Sequence, residues 1–371
     1  MAKQNKKLCF LFCFALGLNY LCPRKTDEKM LTKVIDSVKI NKLQTYIKKG
    51  EKFVIVTHEM PDGDAIGSSL GLYHYLMLFD KKSIKVVVPN KFPEFLNWMP
   101  GASDIVIYEL YHDFAIQLIE EADVLFCLDF NAVRRTGRLA SAVKASEARK
   151  VMIDHHLAPD NFCRVLISHP EICSTSELVF RAICRMGDVD LIGKDAAECF
   201  YVGMMTDTGS FSYNANNADI YLIISELIKK GINKDEIYRK VYQVYSENRM
   251  RLLGYVLYQK LKTYPDQNAA LFVLSREELN RFQYKSGDTE SFVNMPLSID
   301  GISFSVFMRE ETNLIKVSLR SVGEFPCNVF ASTYFKGGGH KNASGGEFYG
   351  SMNDAVKAFE AGLAKMNPNN F

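Results

Sequence analysis

Residues 53–68 read Phe53-Val-Ile-Val-Thr57-His58-Glu59-Met60-Pro61-Asp62-Gly63-Asp64-Ala65-Ile66-Gly67-Ser68. The first five are a short apolar, β-branched run of the kind buried on both faces of a parallel sheet. A polar turn follows, and Ala65 to Leu78 then reads as a helix. Strand, turn and helix in that order form half of a βαβ unit, and the pattern recurs along the chain. Further strand candidates are Ile84–Val88, Val124–Leu128 and Lys150–Ile153, with helices between or after them. Upstream, Lys33 to Lys49 carries Val34, Ile35, Val38, Leu43, Tyr46 and Ile47 near helical spacing, and Gly50 stops it. The succession predicts an α/β fold built on a mostly parallel sheet flanked by helices.

Working outward, helix signals dominate from Ser176 to about Leu261. Lys234 to Lys262 reads as a long helix or a helix pair, closed by the polar break Pro265-Asp-Gln-Asn268. New strands follow at Ala270–Leu274, Ile302–Met308 and Leu314–Leu319, then a Gly337-Gly-Gly-His340 loop and a terminal helix, Met352 to Lys365. At 371 residues the chain is long enough for two domains. We expect a catalytic domain over 30–240, a helical linker over 241–265 and a smaller α/β domain over 266–371.

Hydrophobic residues make up 47% and charged residues 24%, the balance of a globular protein with a proper core. A formal net charge of only +2 provides no global field to hold long nucleic acid, so no duplex DNA partner is expected. The nine cysteines include no Cys-x-x-Cys pair, and Cys127, Cys163, Cys184, Cys199 and Cys327 sit in or beside apolar stretches. They read as reduced, buried thiols of a cytosolic protein. At the N-terminus, Lys3, Lys6 and Lys7 precede the apolar run Leu8 to Leu18, which is signal-like but short for a membrane span. Residues 1–29 are either an export signal or a translated extension upstream of a start at Met30. The second reading is preferred, which gives a cytoplasmic protein without stable membrane association.

The segment after the first strand offers one imidazole and two carboxylates: His58, Asp62 and Asp64. Gly63 lets the backbone turn tightly between the acids, and two carboxylates this close repel unless cations neutralise them. An acidic turn with Asp64 as helix N-cap accounts for Asp64 alone. Two more strands end alike: Val124–Leu128 in Asp129, and Val151–Ile153 in Asp154-His155-His156. Such strands push their terminal side chains to one sheet edge, where open α/β sheets bind ligands. The buried-looking helix Ala196–Met205 aims a further acid, Asp207, inward. His58, Asp62, Asp64, Asp129, His155 and Asp207 are therefore candidate metal ligands. Mixed imidazole and carboxylate donors suit Mn2+, with Mg2+ or Co2+ as substitutes, and six of them fit two ions sharing one acid.

Five blocks now line up. HEMPDGDAIGS, the strand-terminal Asp129, DHH at 154–156, TDTGSF and Gly337-Gly-Gly-His340-Lys-Asn-Ala-Ser-Gly345 resemble, in order and approximate spacing, the DHH/DHHA1 phosphoesterase family. Within it, the layout is similar to the nanoRNase/pAp-phosphatase group. The resemblance implies one metal on His58, Asp62 and Asp129 and a second on Asp64, Asp129, His155 and Asp207, with Asp129 bridging. It implies that His156 lies near the substrate phosphate and that Asp154 orients a ligand imidazole. The expected chemistry is hydrolysis by a hydroxide bridging two metal ions.

Substrate grip falls to the second domain: Gly337, Gly338 and Gly339 through backbone N–H groups, His340 beside them, and Arg320 as a clamp on phosphate. Arg135 is a further candidate facing the cleft. His74, His112 and His169 read as structural or surface residues. The expected substrates are short single-stranded RNA (nanoRNA) and 3′-phosphoadenosine 5′-phosphate (pAp), with pApA or cyclic di-AMP as the alternative. A non-catalytic nucleotide sensor would lack at least one metal ligand, and none is missing. Cleavage polarity is not legible, and a homodimer stays open.

Overall fold

The computed structural model describes residues 34–285 and 287–371. The N-terminal extension 1–29 and the choice between Met1 and Met30 lie outside the described residues. The chain divides into two compact units, one drawn from the chain up to Ile237, the other from Tyr238–Phe371 together with the short segments Pro93–Phe95 and His156–Ala158.

The first unit opens with helix α1 (Ser37–Lys49), shorter than the expected Lys33 to Lys49 because the Asp36 side chain caps it by accepting from the Val38 N–H. Gly50 ends it without a left-handed turn; a Cβ there would press on Phe53 and Val124 at 2.8 and 2.9 Å, so close packing is what requires glycine. Strand β1 (Lys52–Val56) leads through the quoted turn into helix α2 (Gly63–Leu76). The remaining strands are β2 (Ser83–Val88), β3 (Val106–Ile107), β4 (Val124–Leu128), β5 (Arg149–Asp154) and β6 (Val165–Ser168). They form one sheet in the order β3-β2-β1-β4-β5-β6, every pair parallel, as the continuous apolar runs predict. One face, with Val54, Val56, Leu125, Cys127 and Met152, packs under Ala115 and Ile119 of helix His112–Glu120 and Val143 of helix Ala140–Ala145. The alternate residues Phe53, Ile55 and Phe126 are buried too, and α2 and α3 (Thr175–Met186) pack against the sheet. The short β3 and β6 escaped the sequence reading because neither has enough residues to show a period.

Helix α2 is buried almost all round, against α3 and α4 (Lys194–Asp207). It can lie that close only because a glycine faces a glycine: a Cβ on Gly67 would stand 2.6 Å from the Cys199 carbonyl and 2.8 Å from the Gly203 nitrogen.

Where the chain passes from the first unit to the second, the expected helix over Lys234 to Lys262 is a pair, α5 (Lys234–Tyr242) and α6 (Glu247–Tyr255), the latter capped by Ser246 and followed by a π-turn, Val256–Lys260. The sheet of the second unit runs β11-β12-β10-β9-β8-β7, from β7 (Lys262–Tyr264), β8 (Ala269–Leu274), β9 (Phe304–Glu310), β10 (Ile315–Ser321), β11 (Gly338–His340) and β12 (Ala343–Phe348). Only β8 and β9 pair in parallel. In β10, Ile315, Val317 and Leu319 point to a core shared with α7 (Cys327–Tyr334) and α8 (Met352–Lys365), while Lys316, Ser318 and Arg320 take the opposite face. The expected Gly337–Gly339 loop is instead largely the edge strand β11, paired with β12. Its glycine-rich sequence carries no strand signal of its own, and the pairing partner supplies the order. Among the described residues, no helix is long and apolar enough to cross a membrane.

Replacing Gly67 by alanine should destabilise the protein by about 1–3 kcal/mol, since the added methyl meets backbone rather than a movable side chain. Urea unfolding checks this, and an unchanged midpoint would contradict the close helix contact.

Candidate metal centre

Strand order reverses direction between β1 and β4, and such a switch point leaves a crevice beyond the carboxyl ends of the strands. β1 delivers His58 and Asp62 to it, β4 delivers Asp129, and β5 delivers Asp154 and His155.

Asp62, not Asp64, caps α2. Its Oδ1 accepts from the N–H groups of Asp64 and Ala65 at 3.0 and 3.1 Å, and its Oδ2 stands 3.9 Å from His58 Nε2. Asp64 instead lies inside the first turn, 1% exposed, and its carboxylate accepts from the N–H groups of Thr175 (2.6 Å) and Ser176 (2.9 Å) at the start of α3. Gly63 is not in a left-handed conformation. Its smallness is needed because a Cβ would come 2.7 Å from the Cβ of Thr206.

Asp129, 2% exposed, has a φ of 63°, a conformation that costs an L-residue about 1–2 kcal/mol and that aspartate and asparagine tolerate best. Its N–H still bonds the Ile153 carbonyl at 3.2 Å, so the strand is held while the side chain is re-aimed. Oδ2 faces His58 Nε2 at 3.4 Å and Oδ1 faces His155 Nε2 at 3.6 Å. The donor atoms of His58, Asp62 and Asp129 lie within 4.8 Å of one another, as do those of Asp64, His155 and Asp207. Asp207, the last residue of α4, brings Oδ2 to 3.3 Å from His155 Nε2, and Asp64 Oδ2 is 3.9 Å from it. All six sequence candidates thus converge.

Both imidazoles are oriented from behind. His58 Nδ1 lies 2.9 Å from the Glu59 carbonyl and His155 Nδ1 lies 3.2 Å from the Ile172 carbonyl. A carbonyl oxygen only accepts, so each Nδ1 carries hydrogen and each Nε2 is the nitrogen turned to the carboxylates, where a cation would displace its proton and take its lone pair. Such rings among carboxylates, with no thiolate in either group, make a donor set that fits a divalent cation.

Around this cluster, Asp154 is fully buried at the end of β5 and its charge acts on His155. His156, next in the chain, is half-buried. Arg135 is half-buried, its carbonyl accepts from the Glu59 N–H at 2.7 Å, and its positive charge is felt by His58. Arg134 is exposed and pairs with Asp160 at 3.4 Å. His74, His112 and His169 stand apart from the cluster, beside Pro100, Asp113 and Glu171 respectively. In the second unit, His340, Ala343, Arg320 and Ser305 are in register across β11, β12, β10 and β9, which puts all four on one sheet face. Arg320 donates to the Leu319 carbonyl at 2.9 Å.

The crowding of acids sets the charge states of the metal-free protein. Burial lowers the pKa of His155, but Asp207, Asp129, Asp64 and Asp154 outweigh it and raise the ring to about 9. Burial likewise opposes charge on His58, and Asp129 and Asp62 more than reverse it, with Arg135 working against them. Burial, then Asp129 and Asp207, push Asp64 well above the carboxylate range. A raised histidine stabilises the fold below its ordinary pKa and loses that contribution as pH rises through the folded value; a raised carboxyl acts in the same direction. The chelator-treated protein should therefore lose thermal stability as pH climbs from about 6.5 through 9, and divalent metal should reverse the loss. A Tm that is flat over this range, or insensitive to metal, would contradict the cluster.

Comparison with known proteins agrees with this geometry. Residues 52–204 match the DHH family, N-terminal domain, and residues 266–365 match the DHHA1 domain. The crystal structure of an exopolyphosphatase-related protein from Bacteroides fragilis is 60% identical, with a TM-score of 0.87, over 91% of this chain and 98% of that one. The bifunctional oligoribonuclease and PAP phosphatase NrnA of Thermus thermophilus is 29% identical over 82% of this chain and 86% of its own length. The Bacillus subtilis protein of the same name is 28% identical over 81% of this chain and 90% of its own. With both domains matched in series and a relative this similar along nearly its whole length, the chain belongs to the DHH family, a DHH domain followed by a DHHA1 domain.

Proposed function

We propose that this protein is a divalent-metal-dependent phosphoesterase that hydrolyses short oligoribonucleotides and pAp. The observation that carries the reading is the two-sided Asp129 carboxylate, with one His/Asp group on each oxygen. His58, Asp62 and Asp129 would hold one cation, and Asp64, Asp129, His155 and Asp207 a second, with Mn2+ the ion the donors suit. Two cations bound there supply an activated water and neutralise charge growing on the phosphoryl oxygens.

The protein's own part is positioning. The Glu59 and Ile172 carbonyls hold the imidazoles in the tautomer that presents Nε2. Arg135, close enough for its charge to act on His58, serves the substrate phosphate, as does His156. In the second unit the Arg320 and His340 row takes the nucleotide, with β11 as an edge strand whose glycines let a ligand approach the backbone. The substrate class is supported by the names of the two NrnA relatives and by a net charge too small for long nucleic acid. We place the reaction in the cytoplasm.

Asparagine at 129 keeps the side-chain shape and the tolerance for the left-handed backbone while removing the charge. Asp129→Asn should lower kcat on pAp and short RNAs by at least about 10²–10³-fold, with an unchanged circular dichroism spectrum; activity near wild type would remove Asp129 from the bridging role. In a kcat/KM panel of pAp, short RNAs, pApA, cyclic di-AMP and pyrophosphate, the first two should lead, and a clear lead for a dinucleotide would replace the substrate assignment.

A further inference from the structure

The segment Ile172-Cys173-Ser174-Thr175-Ser176 contains no candidate ligand, yet it touches three of the six. The Ile172 carbonyl accepts from His155 Nδ1, the Thr175 and Ser176 N–H groups hold Asp64, and the Thr175 hydroxyl lies 2.9 Å from Asp129 Oδ1. Within this segment it is Thr175 that reaches both acids, with its N–H on Asp64 and its hydroxyl on Asp129. Its side chain is wholly buried, beyond the reach of any substrate.

A polar clamp keeps this turn in place. Ser174 caps α3 by accepting from the Glu177 N–H at 3.0 Å, and Glu177 Oε2 accepts from the Cys173 N–H at 3.3 Å. Glu177 Oε1 pairs with Arg181 at 2.7 Å, and Arg181 reaches Asp219 at 3.2 Å. Glu177 and Arg181 are buried at 1% and 0% exposure. A buried ion pair adds little net stability, because desolvation offsets the attraction. What it supplies here is rigidity on both sides of Thr175.

We propose that Thr175 is a positioning residue for the metal centre: it fixes Asp64, which serves one cation position, against Asp129, which serves both. N–H and hydroxyl belong to one residue, so covalent geometry sets how far apart the two carboxylates sit. The hydroxyl takes one lone pair of Asp129 Oδ1, the oxygen that faces His155, and leaves that oxygen one other for a cation. This inference rests on the cation-binding reading above, and Thr175 touches neither substrate nor cation.

The test compares Thr175→Val, which keeps shape and N–H but loses the hydroxyl, with Thr175→Ser, which keeps the hydroxyl. Mn2+ is titrated calorimetrically into chelator-treated full-length protein, and kcat and KM are measured on pAp. Thr175→Val should bind Mn2+ about 10–100-fold more weakly, with kcat reduced and KM little changed, and Thr175→Ser should restore both. A folded Thr175→Val with wild-type Mn2+ affinity and kcat overturns the proposal, and Thr175→Ala decides the matter in the same way if valine does not fold. A wild-type protein that takes up no Mn2+ overturns the metal reading itself, which separates the two failures.

Discussion

A buried carboxylate looking at an imidazole on each side is the constraint the first unit is built around. Four aspartates and two histidines meet here, with His58, Asp64, Asp129 and His155 buried and Asp62 and Asp207 nearer to solvent, and formal negative charge exceeds the positive charge the rings can carry. At low effective dielectric such like charges repel strongly. The protein answers in part with its own groups: two imidazoles whose pKa the acids raise, two N–H donors on Asp64, and the Thr175 hydroxyl on Asp129. What is left is a negative charge that divalent cations would complete, and the metal-free fold bears the electrostatic cost.

Topology makes this convergence possible. Parallel strands all deliver their carboxyl ends to one edge, and the order reverses where β1 and β4 lie side by side, so His58 and Asp129 meet although 70 positions separate them in the chain. Asp64 and Asp207 arrive differently, from the start of α2 and the end of α4. Those two helices can bring them together because Gly67 and Gly203 remove the side chains that would hold the helices apart. A packing detail thus fixes the distance between acids contributed by remote parts of the sequence.

Much of this was legible in the sequence because its signals are local. An apolar strand ending in Asp129 or in Asp154-His155-His156 announces both the fold and the edge where chemistry gathers. Less legible was anything that depends on a partner far along the chain. Asp62 rather than Asp64 caps α2 because the start of α3 claims the Asp64 carboxylate. Arg135 and Arg134 are equivalent on paper, and Asp160 distinguishes them by engaging Arg134. The β11–β12 hairpin, rich in glycine, shows no alternation, and its order comes from pairing. Thr175 was missed because a threonine at a helix start is ordinarily only a capping signal.

The most direct test is crystallographic: crystals grown with Mn2+, with anomalous scattering recorded at the manganese edge. The account predicts two peaks flanking Asp129, one against His58 and Asp62 and the other against Asp64, His155 and Asp207. Peaks found only elsewhere on the protein, or none beside Asp129, would contradict it.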